Sequence, residues 1–134
     1  MKKLLTYSMW CLLLLAFVTS CKKDDATPTS NALIGNWKFA SYATTGCTDP
    51  TNNFVETCPA SADCGTLAIT ATGWTYTEPG VATQTGTYTV SGSSITLSGG
   101  MSETFTWAVA GTVLTFTEAP GTDGCTHVST FQKI

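Results

Sequence analysis

Arginine is absent from this chain of 134 residues, and histidine occurs once, at His127. Only 11% of the residues are charged, and the formal net charge is −3. From Ala26 onward two lysines, Lys38 and Lys133, stand against seven acids, a formal charge of −5. A surface of that sign repels a phosphate backbone, so nucleic acid is excluded as a partner. With a single histidine and no CxxC pair, a zinc site is not expected. The chain also lacks a Gly-rich phosphate loop, a serine elbow and any cluster with metal-ligand spacing. Neither an enzyme nor a cofactor is therefore expected. His127 has no nucleophile or orienting acid evident beside it in the sequence, and it reads as a solvated or core histidine. Long helical periodicity is missing as well. What is present is abundant threonine interspersed with Val, Ile, Phe, Tyr and Trp. These residues suit a half-buried pleated surface, so the fold class is all-β.

The one long apolar run is N-terminal. Lys2 and Lys3 precede a mostly apolar stretch over residues 4–18. A basic start, a short apolar run and small residues before a cut make a secretory signal, here residues 1–20. A membrane span needs about 20 apolar residues, and this run is shorter and interrupted by Thr6, Tyr7 and Ser8. Val18-Thr19-Ser20-Cys21 resembles the bacterial lipobox. The resemblance implies cleavage before Cys21 and acylation of that residue, and hence a stable membrane anchor. Lys22-Lys23-Asp24-Asp25 resembles the signals that send Bacteroidetes lipoproteins to the outer face of the outer membrane; a solvated linker start reads equally well. Residues 21–32 then form the lipidated cysteine and a polar linker, and residues 33–134 form one domain.

That domain repeats itself. Tyr88-x-Val90-x-Gly92-x-x-Ile95-x-Leu97 matches Trp107-x-Val109-x-Gly111-x-x-Leu114-x-Phe116 at every apolar position. A third copy runs from Leu67 and Ile69 through Gly73 to Trp74 and Tyr76. Each copy is two alternating strands around a tight glycine turn, a β-hairpin. Residues 36–42 add a strand before the hairpins and 125–133 one after. Eight short antiparallel strands fit an up-and-down barrel, with an open immunoglobulin-like sandwich as the alternative. The turns at 71–73, 91–93 and 110–112 are tight and form one end. The loops at 43–65, 79–83, 99–102 and 119–124 are longer and form a mouth, the first of them long enough to act as a lid.

Leu33-Ile34-Gly35-Asn36-Trp37 resembles the G-x-W motif that opens the first strand of lipocalins. Together with the lipobox, it makes the mature chain similar to the small lipocalin-like lipoproteins of Bacteroidetes. The chain is shorter than a usual lipocalin and has no room for a C-terminal helix. The family's arginine over the motif tryptophan is missing, and Lys133, at the end of a last strand that closes beside the first, is placed to take its position over Trp37; a solvated terminal lysine reads equally well.

The remaining cysteines, Cys47, Cys58, Cys64 and Cys125, read as two disulfides in an exported domain. All four fall at the mouth, and closure of the barrel brings Cys47 and Cys125 onto neighbouring strands. This favours Cys47–Cys125 with Cys58–Cys64. The rival pairing is Cys64–Cys125 with Cys47–Cys58.

Alternation points Leu67, Tyr76, Leu97, Phe105 and Phe116 inward in the upper half of the barrel. Either they line a ligand pocket or they simply fill the interior, since eight strands allow both. In the last strand, either His127, Ser129 and Phe131 face inward or Val128 and Thr130 do. All seven acids of the domain map to the mouth and both lysines to the other end, a charge axis that favours neutral or cationic ligands over anions. Two functions follow. One is a lipid-anchored binding module for a small apolar or amphipathic molecule. The other is a structural or protein-interaction barrel, an accessory or inhibitor lipoprotein acting through its stapled mouth loops. In both, the expected location is the outer membrane, with exposure at the cell surface.

Overall fold

The computed structural model describes residues 29–134. The expected signal segment, Cys21 and the linker through residue 28 lie outside the described residues. Within them the chain forms nine strands: β1 (Gly35–Thr45), β2 (Phe54–Thr57), β3 (Thr66–Ile69), β4 (Trp74–Thr77), β5 (Gln84–Ser91), β6 (Ser94–Gly99), β7 (Glu103–Ala110), β8 (Val113–Glu118) and β9 (Thr126–Lys133). Every pairing is antiparallel, and sequential neighbours from β3 to β9 pair in order. β1 pairs with β3 on one edge and with β9 on the other, which closes an eight-stranded up-and-down barrel. This is the lipocalin-like architecture expected from the hairpin repeat.

The tight turns form as their glycines require. Ser91 pairs with Ser94 and Ala110 with Val113. Gly92 and Gly111 take φ of 58° and 60°. A positive φ at the first of two turn residues matches the right-handed twist of the flanking strands. Gly86 has a different role: a Cβ there would run into the Ser98 carbonyl oxygen and the Trp74 indole. Its bare backbone is what lets the Trp74 ring lie across the wall and donate from Nε1 to the Thr87 carbonyl at 3.0 Å.

The structure adds a strand that the eight-strand reading lacks. The first mouth loop is not irregular throughout, since β2 pairs with Ser41–Thr44 of β1. β1 therefore changes partner half-way up one edge. Its lower residues bond to β3, the Phe39 N–H donates to the Gly65 carbonyl at 2.9 Å, and the Ala40 carbonyl then accepts from the Cys58 N–H at 2.8 Å. On the opposite edge, the β1–β9 register slips between Phe39 and Ser41. That bulge at Ala40 inverts the inward face of the strand, because the side-chain period is two. Trp37 and Phe39 face inward below it. Tyr42 and Thr44 face inward above it, where strict alternation would have put Ser41 and Ala43.

The floor of the barrel is packed solid. Trp37, Leu33, Ile95 and Leu114 are fully buried, with Trp107, Trp74 and Ile69 against them. Leu33 belongs to a short 3₁₀ turn, Ser30–Leu33, so the end of the expected linker already seals the barrel from below. The Trp37 Nε1 donates to the Leu33 carbonyl at 2.8 Å, and Lys133 Nζ lies 5.3 Å from the centre of the Trp37 ring. The lysine thus occupies the position that the resemblance gives to an arginine. Both disulfides have the favoured pairing, Cys47–Cys125 and Cys58–Cys64.

Candidate functional site

Above the packed floor the barrel is hollow. A cavity of about 230 Å³ opens at the mouth. All five residues expected in its upper half, Leu67, Tyr76, Leu97, Phe105 and Phe116, line it. So do His127, Ser129 and Phe131, which decides the register of the last strand in favour of that face. The lining is mainly aromatic. Phe105 stacks on Phe116 at 5.4 Å, and Phe131 meets Phe116 and Phe39 edge-on at 5.8 and 5.7 Å. Stacked and edge-on ring pairs of this kind stabilise one another by about 0.5–1.5 kcal/mol each beyond their buried area, which opposes their collapse into the cavity. A cavity of about 150 Å³ lined by apolar side chains is enough to bind benzene. The space here therefore admits a ring or a short chain.

The mouth is polar and acidic. Glu103 and Glu118 stand on its rim, and Glu118 is the register partner of His127. His127 is better connected than the sequence suggested. Its Nδ1 lies 2.7 Å from Tyr42 Oη and 3.2 Å from Thr44 Oγ1, and its Nε2 lies 3.2 Å from Asp123 Oδ2. The Tyr42 and His127 rings are also nearly parallel, 5.8 Å apart. The backbone N–H of Cys125 donates to Asp123 at 3.0 Å; that bond and the His127 ring hold the carboxyl below the usual carboxylate range. The cluster ties β1 to β9 and to the β8–β9 loop, just below the Cys47–Cys125 bridge at the mouth. The sequence places His127 and Asp123 at the mouth but does not bring them together with Tyr42, because two features are invisible in it: the bulge that turns Tyr42 inward, and the loop that folds Asp123 back onto His127. Met101, in the β6–β7 loop, is a further lining residue that alternation does not predict.

A second hollow adjoins the first. It is a groove of about 490 Å³ between the stapled lid loop and the tip of β4. Phe39, Tyr42 and Tyr76 line both spaces and form the wall between them. Compared with protein-family models, curated proteins and solved structures, the chain has no match.

Burial pushes the Tyr76 phenol above its ordinary value, and the neighbouring Glu78 carboxylate pushes it further. The folded state thus favours the neutral phenol. Stability is unaffected below the ordinary tyrosine value of 10.0 and falls as pH rises above it toward the raised one. Thermal melts at pH 9 and pH 11 should show a larger drop for the wild type than for Tyr76→Phe. Equal drops would mean that Tyr76 titrates as it would in the unfolded chain.

Proposed function

We propose that this protein is a membrane-anchored, lipocalin-like module that binds a small apolar or amphipathic ligand and has no catalytic role. The observation that carries the reading is the aromatic cavity over a solid floor, open only where the loops are long. A barrel serving purely as a structural element has no need to leave its upper half empty, because interiors otherwise pack to near-crystalline density. Under this reading, Leu67, Tyr76, Leu97, Phe105 and Phe116 contact the ligand. 1-Aminonaphthalene, a neutral dye of a size that the cavity admits and whose emission changes in apolar surroundings, should bind saturably. Leu97→Trp, which fills the cavity from a buried wall position, should reduce that binding at least tenfold. Dye binding that is absent from the wild type, or untouched in Leu97→Trp, would overturn the assignment.

The anchor reading rests on the lipobox resemblance. The protein is then an outer-membrane lipoprotein joined through Cys21, displayed at the cell surface, with the linker entering below the floor and the mouth facing away from the membrane. Replacing Cys21 with serine should move the chain from the membrane fraction to the soluble fraction of expressing cells. Retention of Cys21→Ser in the membrane would refute lipid anchoring.

One observation favours the alternative, a protein-interaction barrel. In β2, Phe54 and Val55 are 50% and 68% exposed, and the strand is paired only along its β1 edge. Exposed apolar residues on an unpaired edge are what a partner strand can add to. Under that reading, Phe54→Ser with Val55→Ser abolishes partner capture and leaves dye binding unchanged.

A further inference from the structure

The groove beside the barrel cavity has a composition of its own. Its floor is made of the aromatic rings of Phe39, Tyr42 and Tyr76, and its rim carries Glu56, Asp63 and Glu78. Glu56 is the register partner of Tyr42, so its side chain shares the face on which Tyr42 points toward the groove. The Cys58–Cys64 bridge fixes the segment that carries Asp63, and the Asp63 carboxylate caps the Gly65 N–H at 3.2 Å. Neither space is lined by a lysine. The two lysines of the described residues lie in the lower half of the barrel, Lys38 opposite Thr66 and Gln132, and Lys133 over Trp37.

We propose that this groove is the head-group site of an amphipathic ammonium ligand, whose apolar part enters the barrel between Phe39, Tyr42 and Tyr76. The inference rests on the binding-module reading and names the class of ligand. Aromatic faces attract cations through the ring quadrupole, most strongly where water is excluded, and quaternary ammonium groups are recognised in this way. Carboxylates on the rim add attraction at longer range and set a penalty against anions. Among the described residues no group of three or more His, Cys, Asp and Glu converges closely enough to hold a metal ion. The acids thus surround a space and do not meet at a point, which suits a bulky organic cation better than a calcium ion. The site exists because β1 changes partner at Phe39–Ala40. Above that point β1 pairs with β2, which has no pairing with β4, and the wall between groove and cavity is made of side chains alone.

The test is calorimetric titration of the oxidised domain, residues 29–134, which contains the whole closed ladder and both bridges. The probes are octyltrimethylammonium, octanol and octanoate at low salt and neutral pH. The expected result is that the ammonium binds at least tenfold tighter than octanoate and tighter than octanol. In the variant Glu56→Gln/Asp63→Asn/Glu78→Gln, the ammonium should lose about tenfold in affinity while octanol is unchanged. In Glu103→Gln/Glu118→Gln, on the far rim, the ammonium should lose less. Octanol binding as tightly as the ammonium would overturn this inference and leave the binding-module reading standing. A larger loss in Glu103→Gln/Glu118→Gln would overturn the groove as the head-group site. Failure of all three probes to bind would overturn both readings.

Discussion

Replacing Cys47 and Cys125 with alanine should lower the free energy of unfolding by about 4 kcal/mol, and replacing Cys58 and Cys64 by about 2 kcal/mol. The difference follows from the loops that the bridges close, with sequence separations of 78 and 6. A crosslink removes entropy from the unfolded chain in proportion to the logarithm of its loop length. Cys47–Cys125 joins the chain just beyond the ends of the first and last strands, next to the Thr45–Thr126 pair that closes the barrel. Its loss therefore frees nearly the whole ladder in the unfolded state. It also exposes the Asp123–His127–Tyr42 cluster to fraying from above. Cys58–Cys64 holds only the lid, so its removal should cost less stability than loss of Cys47–Cys125 while loosening the groove. Urea denaturation of both double variants measures the order. A larger loss from the lid bridge than from the strand-end bridge would contradict it.

Trp37→Ala should cost about 3–5 kcal/mol, the range for removing a large aromatic from a core that cannot collapse around the gap. The ring is fully buried, and three unrelated groups depend on it: the Leu33 plug through its carbonyl, the Lys133 ammonium over the ring, and the packed floor. The contributions separate. Trp37→Phe keeps most of the apolar volume but leaves the Leu33 carbonyl without its donor, a loss of about 1–3 kcal/mol. Lys133→Ala removes a cation over the ring whose exposed-site value is about 0.5–1 kcal/mol. Melting temperatures should therefore fall in the order Trp37→Ala, Trp37→Phe, Lys133→Ala. A Trp37→Ala variant within about 1 kcal/mol of wild type would show that the floor is not the stabilising core of this barrel.

The parts of the architecture that could be read in advance are those governed by local chemistry. Alternating Thr and apolar residues around Gly73, Gly92 and Gly111 specify hairpins, because strand period and turn geometry are both local. Once three hairpins are in sequence, the inward placement of Leu67, Tyr76, Leu97, Phe105 and Phe116 follows from parity, whereas closure is decided by the β1–β9 pairing and an open sandwich fits the same strands. The strand at Phe54–Thr57 could not be read in the same way. It has four residues, all exposed, and it forms only because the bridged loop lays it along the upper edge of β1. The bulge at Ala40 was equally silent. No glycine or proline marks it, yet it reverses the face of every later residue in β1. Tyr42 and Thr44 consequently meet His127 across 85 and 83 positions of sequence. Leu33 was legible as part of the G-x-W segment but not as the plug under Trp37, since that depends on a 3₁₀ turn folding back beneath the barrel. The errors thus concentrate around the mouth and the first strand, where long-range closure decides the outcome. The groove and its rim lie in the same region.

Native mass spectrometry of residues 29–134, purified with both disulfides intact from a bacterial periplasm, tests the central claim most directly. A mass excess that vanishes on denaturation, or stoichiometric uptake of a species from a lipid and metabolite extract, is the predicted result and would identify the occupant of the cavity. The bare mass before and after exposure to that extract would contradict a binding module and leave a barrel that acts through its mouth loops.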